Sequence, residues 1–128
     1  MLRWTRIDLL LTLYDKALER LANAEDSLRM GDAPGATAHL IKTQLILNGL
    51  ASGVKLDMEP ERGANMLRLY EFAANELRIP RAEGIANARK ILRTLREGFE
   101  AIRAEANELE RNGTIPAAES LPLIRATV

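Results

Sequence analysis

The 128-residue chain has no cysteine, which removes disulfides, thiolate nucleophiles and zinc–thiolate sites together. It has one histidine, His39, too few for an ordinary zinc site. His39 stands between Ala38 and Leu40, with no nucleophile and orienting group beside it to make a catalytic base, so its expected role is structural or on the surface. Glu-x-x-His pairs of the kind that hold two irons in a bundle do not occur, and no phosphate-cradling glycine loop is present. No cofactor, no metal and no enzymatic activity are therefore expected. No segment approaches the ~20 consecutive apolar residues of a membrane span, so membrane insertion is not expected. From Met1 to Asp8 charge recurs before any long apolar stretch, unlike a signal peptide, and a cytoplasmic protein is the expectation. Neither sign of charge prevails, since 18 Lys+Arg balance 18 Asp+Glu. There is no overall pull toward nucleic acid, which is not expected as a partner.

Helical periodicity is what remains. Ile7, Leu10, Leu11, Tyr14, Leu18, Leu21 and Leu28 recur in steps of three and four, the signature of one helix face. Thr5 fits the N-cap and Gly31 the stop. Asp32-Ala33-Pro34 opens a second helix, with Asp as cap and Pro in the first turn, running to about Lys55. A third helix, starting near Pro60, carries Met66, Leu67, Tyr70, Ala73, Ala74 and Leu77 and is broken by Pro80. A fourth carries Ile85, Ala88, Leu92, Leu95, Phe99, Ile102, Ala106 and Leu109 at alternating spacings of three and four, a heptad seam. Asn112-Gly113 ends it. Glu97, Glu100, Glu105, Glu108 and Glu110 interleave with Arg93, Arg96, Arg103 and Arg111, as on a solvated face with i,i+4 pairs.

No strand alternation appears. The expected fold is all-α: an antiparallel four-helix bundle over residues 1–111 with shallow crossing angles of about 20°. Residues 112–128 follow as a short C-terminal tail or extra helix, with an apolar cluster at Leu121, Leu123 and Ile124.

The second helix carries more apolar surface than one core stripe needs. Leu40, Leu47, Leu50, Ala51 and Val54 form a broad face with Ile46 at its edge. Ile41 and Leu45 fall to one side of it, next to Asn48. Either this surplus is a partner site, or the tail or a neighbouring helix covers it; partial coverage by the tail, Leu121 to Ile124, is the expectation. Gly49 and Gly53, which cost about 1 kcal/mol each against alanine in a helix interior, point to close helix approach or a bend. Both tyrosines stand in matching phrases, Leu13-Tyr14-Asp15 and Leu69-Tyr70-Glu71, as in a packing contact between two helices.

Four phrases together resemble the flagellar secretion chaperone family, FliS. Leu9 to Leu18, with Leu13-Tyr14-Asp15-Lys16-Ala17-Leu18, is similar to that family's leucine-rich first helix ending in Leu-Tyr-Asp-Gly-Ala-Leu. Lys42-Thr43-Gln44-Leu45-Ile46, followed by Leu56-Asp57, resembles its Lys-Ala-Gln-x-Ile helix and Leu-Asp pair. Asn65 to Phe72 resembles Asn-Leu-x-x-Leu-Tyr-Asp-Tyr, and Leu95-Arg96-Glu97-Gly98-Phe99 its Leu-Arg-Glu-Ala-Trp. The resemblance spans residues 7 to 102. Lys16 replaces the usual glycine, the second and third connections are shorter, and only Met1 to Arg6 stand where the family has a longer segment before the first helix. The resemblance implies a non-enzymatic chaperone that binds the disordered C-terminal segment of flagellin. The implied groove uses Ile41, Gln44, Leu45 and Asn48, with Tyr14 and Tyr70 contributing rings and hydroxyls or serving only to pack. The expected oligomeric state is monomer or weak homodimer. The alternative is a structural or self-associating helical bundle module with a non-flagellin partner.

Overall fold

Thr5-Arg6-Ile7-Asp8 starts the first helix as a capping sequence. The Thr5 backbone is extended, and its Oγ1 accepts from the Asp8 amide at 3.4 Å, satisfying one of the amides that a helix start leaves without an intrahelical partner. This computed structural model describes residues 5–57 and 60–113, which form α1 (Arg6–Arg29), α2 (Ala33–Asp57), α3 (Pro60–Glu76), α4 (Ala82–Ala101) and α5 (Arg103–Arg111). α1 ends where expected: Gly31 has φ 75°, a conformation that side chains disfavour. Asp32 then caps α2, its Oδ1 accepting from the Gly35 amide at 2.9 Å. α3 begins at Pro60, and its last turn closes before Pro80, whose ring disfavours helix in the residue before it.

α1 packs against α2 and α4, and α3 packs against the same two helices. Four helices with short connections thus form the antiparallel bundle, with α1 and α3 at opposite corners. The core holds Leu13, Tyr14, Ala17, Leu21, Leu40, Leu47, Leu50, Ala73, Leu77, Ile85, Ala88 and Leu92. Leu13 was not on the expected α1 face, yet it is fully buried, while Leu10, Leu18 and Leu28 are half-buried. Because α1 is covered by two neighbours, its buried arc is wider than a single stripe.

The fourth helix differs from the expectation of one element through Leu109. It breaks at Ile102, and α5 turns onto the start of α1. The Thr5 hydroxyl donates to Asn107 Oδ1, the Arg6 amide donates to Glu110 Oε1 at 2.8 Å, and Arg103 pairs with Asp8 at 2.7 Å. Asn112 and Gly113 (φ 84°) follow α5. The expected cover of Ile41 and Leu45 by Leu121 to Ile124 lies outside the described residues.

At the α3–α4 connection the chain is tight. A Cβ on Gly84 would collide with the Glu76 carbonyl, so close approach belongs to this glycine. Gly53 has open space around it, and the Gly49/Gly53 spacing marks no close approach at its second position.

Candidate functional site

α2 has two apolar faces. Leu40, Leu47, Leu50 and Val54 point into the core, whereas Ile41 is 57% and Leu45 62% exposed. These two lie one turn apart, and Asn48, also exposed, continues the row. An i,i+4,i+7 spacing puts all three on one side of the helix. Gln44 flanks the row, half-buried, and its amide nitrogen turns inward, donating to the carbonyl oxygens of Leu77 at 3.3 Å and Ala74 at 3.5 Å. Both belong to the turn that closes α3, in which the Ala74 carbonyl also accepts from the Leu77 amide at 3.1 Å. Gln44 therefore staples α3 to α2 beside the exposed row.

Tyr14 and Tyr70 are elsewhere. Both are buried, and their hydroxyls meet at 2.5 Å across the bundle from α1 to α3. The Tyr14 ring also lies against Phe99 of α4, centroids 5.7 Å apart. Burial pushes the Tyr70 hydroxyl up to about 12, partly opposed by the hydrogen bond with Tyr14. Burial, the neighbouring Tyr70 charge and the shared hydrogen bond push Tyr14 up further. Two neutral hydroxyls satisfy each other in an apolar interior, where an unpaired one would be costly. Of the two roles open to the tyrosines in the sequence, packing is the one this arrangement displays.

A second apolar strip was missed. Leu69 (39% exposed) and Phe72 (51%) lie on α3, seven and four residues before Glu76, hence on its side of the helix. Glu76 faces α4, accepting from Asn87 at 3.4 Å, and Ile91, four residues beyond Asn87, is half-buried. The seam between α3 and α4 is thus lined by Leu69, Phe72 and Ile91. The signal was present in the phrase Leu69-Tyr70-Glu71-Phe72: with Tyr70 fixed in the core, Leu69 and Phe72 must point away from it.

The opposite edge of α4 is polar. Arg89 pairs with Glu25 at 2.8 Å, Arg96 with Asp15 at 2.6 Å and Arg103, on α5, with Asp8. Arg96 and Arg103, expected to form local pairs, reach across to α1, and Arg96 also feels Glu100 one turn along its own helix. Burial works to raise the Asp8 pKa, but hydrogen bonds from Thr5 and Arg103 and the Arg103 charge outweigh it, leaving the carboxyl below its ordinary range. Among the described residues, no group of three or more His, Cys, Asp or Glu is placed to hold a metal ion, and no helix is long and apolar enough to cross a membrane.

Residues 3–106 match the family described as flagellar protein FliS. The chain belongs to the FliS family. The match takes in all four bundle helices and ends at Ala106, inside α5. FliS membership carries a broad role as a flagellar export chaperone, a non-enzymatic class. No curated protein and no solved structure matches the chain.

Proposed function

We propose that this FliS-family chain is a cytoplasmic export chaperone that holds the disordered C-terminal segment of flagellin and keeps it from polymerising before secretion. The observation that carries the reading is the exposed pair Ile41 and Leu45, with Asn48 on the next turn, on a bundle helix whose inner face is already filled. A client segment that folds into an amphipathic helix presents anchors at i, i+3 and i+4, which suit such a row. Ordering a disordered client costs conformational entropy, so a large contact surface is needed. The strip at Leu69, Phe72 and Ile91 offers further apolar area to a segment that wraps around the bundle. Gln44 acts from beneath, fixing α3 against α2, and Asn48 offers a polar group at the end of the row. Tyr14 and Tyr70 support the groove by holding the core in register.

Calorimetric titration with a flagellin C-terminal peptide tests this reading. Binding at micromolar concentration or tighter is expected, weakened by about tenfold or more, some 1.4 kcal/mol, in Ile41→Asp/Leu45→Asp with the fold retained. A folded protein that binds no peptide at micromolar concentration overturns it. The same exposed row would also suit self-association. Sedimentation across a dilution series separates the two, because a concentration-independent dimer that yields no surface to the peptide favours a structural module. A monomer or weak homodimer is the expected state.

A further inference from the structure

We propose that α5 is a clasp that opens about Ile102 while the four-helix bundle stays folded, controlling access to the amino-terminal end of α1. Three features of the chain meet in this device. The first is that the break at Ile102 has no local cause. Between Gly98 and Gly113 the sequence contains neither glycine nor proline, and Phe99-Glu100-Ala101-Ile102-Arg103-Ala104-Glu105-Ala106 reads as continuous helix. Ile102 makes no side-chain capping bond to α5, and isoleucine is among the poorest N-cap residues. Its backbone, φ −104° and ψ 7°, lies in a sparsely occupied region, and its amide closes onto the Phe99 carbonyl three residues back at 3.2 Å.

The second feature is the chemistry that holds α5 down. The contacts described above are polar: Arg103 with Asp8, Asn107 with Thr5, and Glu110 with the Arg6 amide. The only buried residue of α5 is Asn107, and the one large apolar side chain of the helix, Leu109, is only half-buried. Glu110 places a carboxylate at the positive end of the α1 dipole, a favourable but screenable interaction. Segments with few buried apolar contacts are the ones that open locally below the free energy of global unfolding. Thr5, Arg6 and Ile7 are buried in the closed arrangement.

The third feature is that an alternative position exists. Ile85, Ala88, Leu92, Leu95, Phe99, Ile102, Ala106 and Leu109 keep their three–four alternation straight through the break. A released α5 can therefore extend α4 with its apolar stripe in phase. Closure keeps the polar contacts to α1 at the expense of a helical turn, and opening reverses that exchange, as in other two-state elements.

The absence of cysteine makes the test direct. In the full chain, spin labels on Glu19→Cys and Arg111→Cys report the distance between α1 and the tip of α5. A main short-distance population and a minor longer one are expected. Raising the salt concentration, which shortens the screening length to about 3 Å at 1 M, should enlarge the longer population in the otherwise unmutated chain. Asp8→Asn/Glu110→Gln should enlarge it at low salt, with the circular-dichroism melt of the bundle preserved. A single distance, unmoved by salt and by the double variant, overturns the proposal. So does a longer population that appears only as the whole bundle melts. Should the double variant fail to fold, the salt series decides.

Discussion

The seam between α1 and α4 and the outer face of α2 are built on opposite principles. Along the first, Glu25–Arg89, Asp15–Arg96 and Asp8–Arg103 bridge the edge at intervals of about two helical turns. On the second, Ile41 and Leu45 stand in solvent with no charged partner closing over them among the described residues. The sealed seam orients α4, and the bare face is the one proposed to bind. The difference teaches that apolar exposure here falls on particular rows, the α2 face and the Leu69–Phe72 strip of α3, outside a filled core rather than through loose packing. It also separates stability from the proposed binding, because the residues on the two sides of α2 have different neighbours.

That separation can be broken most directly on α2 itself. Leu47→Ala, in the buried face, is expected to cost about 2–5 kcal/mol through lost burial and a residual cavity. Leu45→Ala, two residues away, should stay within about 0.5 kcal/mol. Urea unfolding of both variants checks the contrast, and equal losses would show that Leu45 is covered in solution.

At the tight end of the α3–α4 seam, Gly84→Ala forces a methyl against the Glu76 backbone carbonyl. A cost of about 1–3 kcal/mol is expected, whereas Gly98→Ala, at an open position inside α4, should gain up to about 1 kcal/mol. Comparing the two melting temperatures tests whether the seam is closed at that end and open farther along.

The tyrosine pair sharpens the comparison in the core. Tyr14→Phe or Tyr70→Phe should each cost about 1 kcal/mol by leaving one hydroxyl without its partner, and the double variant should cost less than their sum. Both hydroxyls are held above the ordinary tyrosine value of about 10 in the fold. Folding therefore favours their protonated forms. Their contribution is complete below about pH 10 and is lost as pH rises toward and beyond 12. Chemical denaturation at pH 8 and pH 11 should show reduced stability at the higher pH. Because these are the only tyrosines, tyrosinate absorbance reports their titration directly.

The smallest effect is expected on the sealed seam. Arg96→Ala removes a partly exposed pair with Asp15 and should cost about 0.2–1 kcal/mol, less at high salt. A loss comparable to that of Leu47→Ala would reverse the comparison and make the ion pairs the principal stabilising feature of the bundle.

Much of this was legible before any packing was known. The four helices, the caps at Thr5 and Asp32, the stop at Gly31 and the start at Pro60 follow from local chemistry. The surplus character of Ile41 and Leu45 could be read from the helical period of α2, and their exposure agrees with it. The strip at Leu69 and Phe72 was obscured because its residues sit in a phrase dominated by Tyr70, whose burial had to be known before its neighbours could be placed. Gln44 was legible as unusual but not as a staple, since the carbonyls it holds lie about thirty residues away in sequence. The destinations of Arg96 and Arg103 were hidden for the same reason: each had carboxylates nearby in sequence, and its ion pair is with one on α1.

By itself the sequence determined where helices form and which side of each is apolar, because propensity, capping and the 3.6-residue period act over a few residues. It also carried the family phrases that the match over residues 3–106 sustains. Only the tertiary structure decided which apolar rows are covered, that the two tyrosine hydroxyls meet, that Arg96 reaches Asp15 across 81 residues of chain, and that the last helix breaks at Ile102 to reach the start of α1. Those outcomes depend on which element comes to lie beside which, and periodicity within one helix does not specify its neighbour.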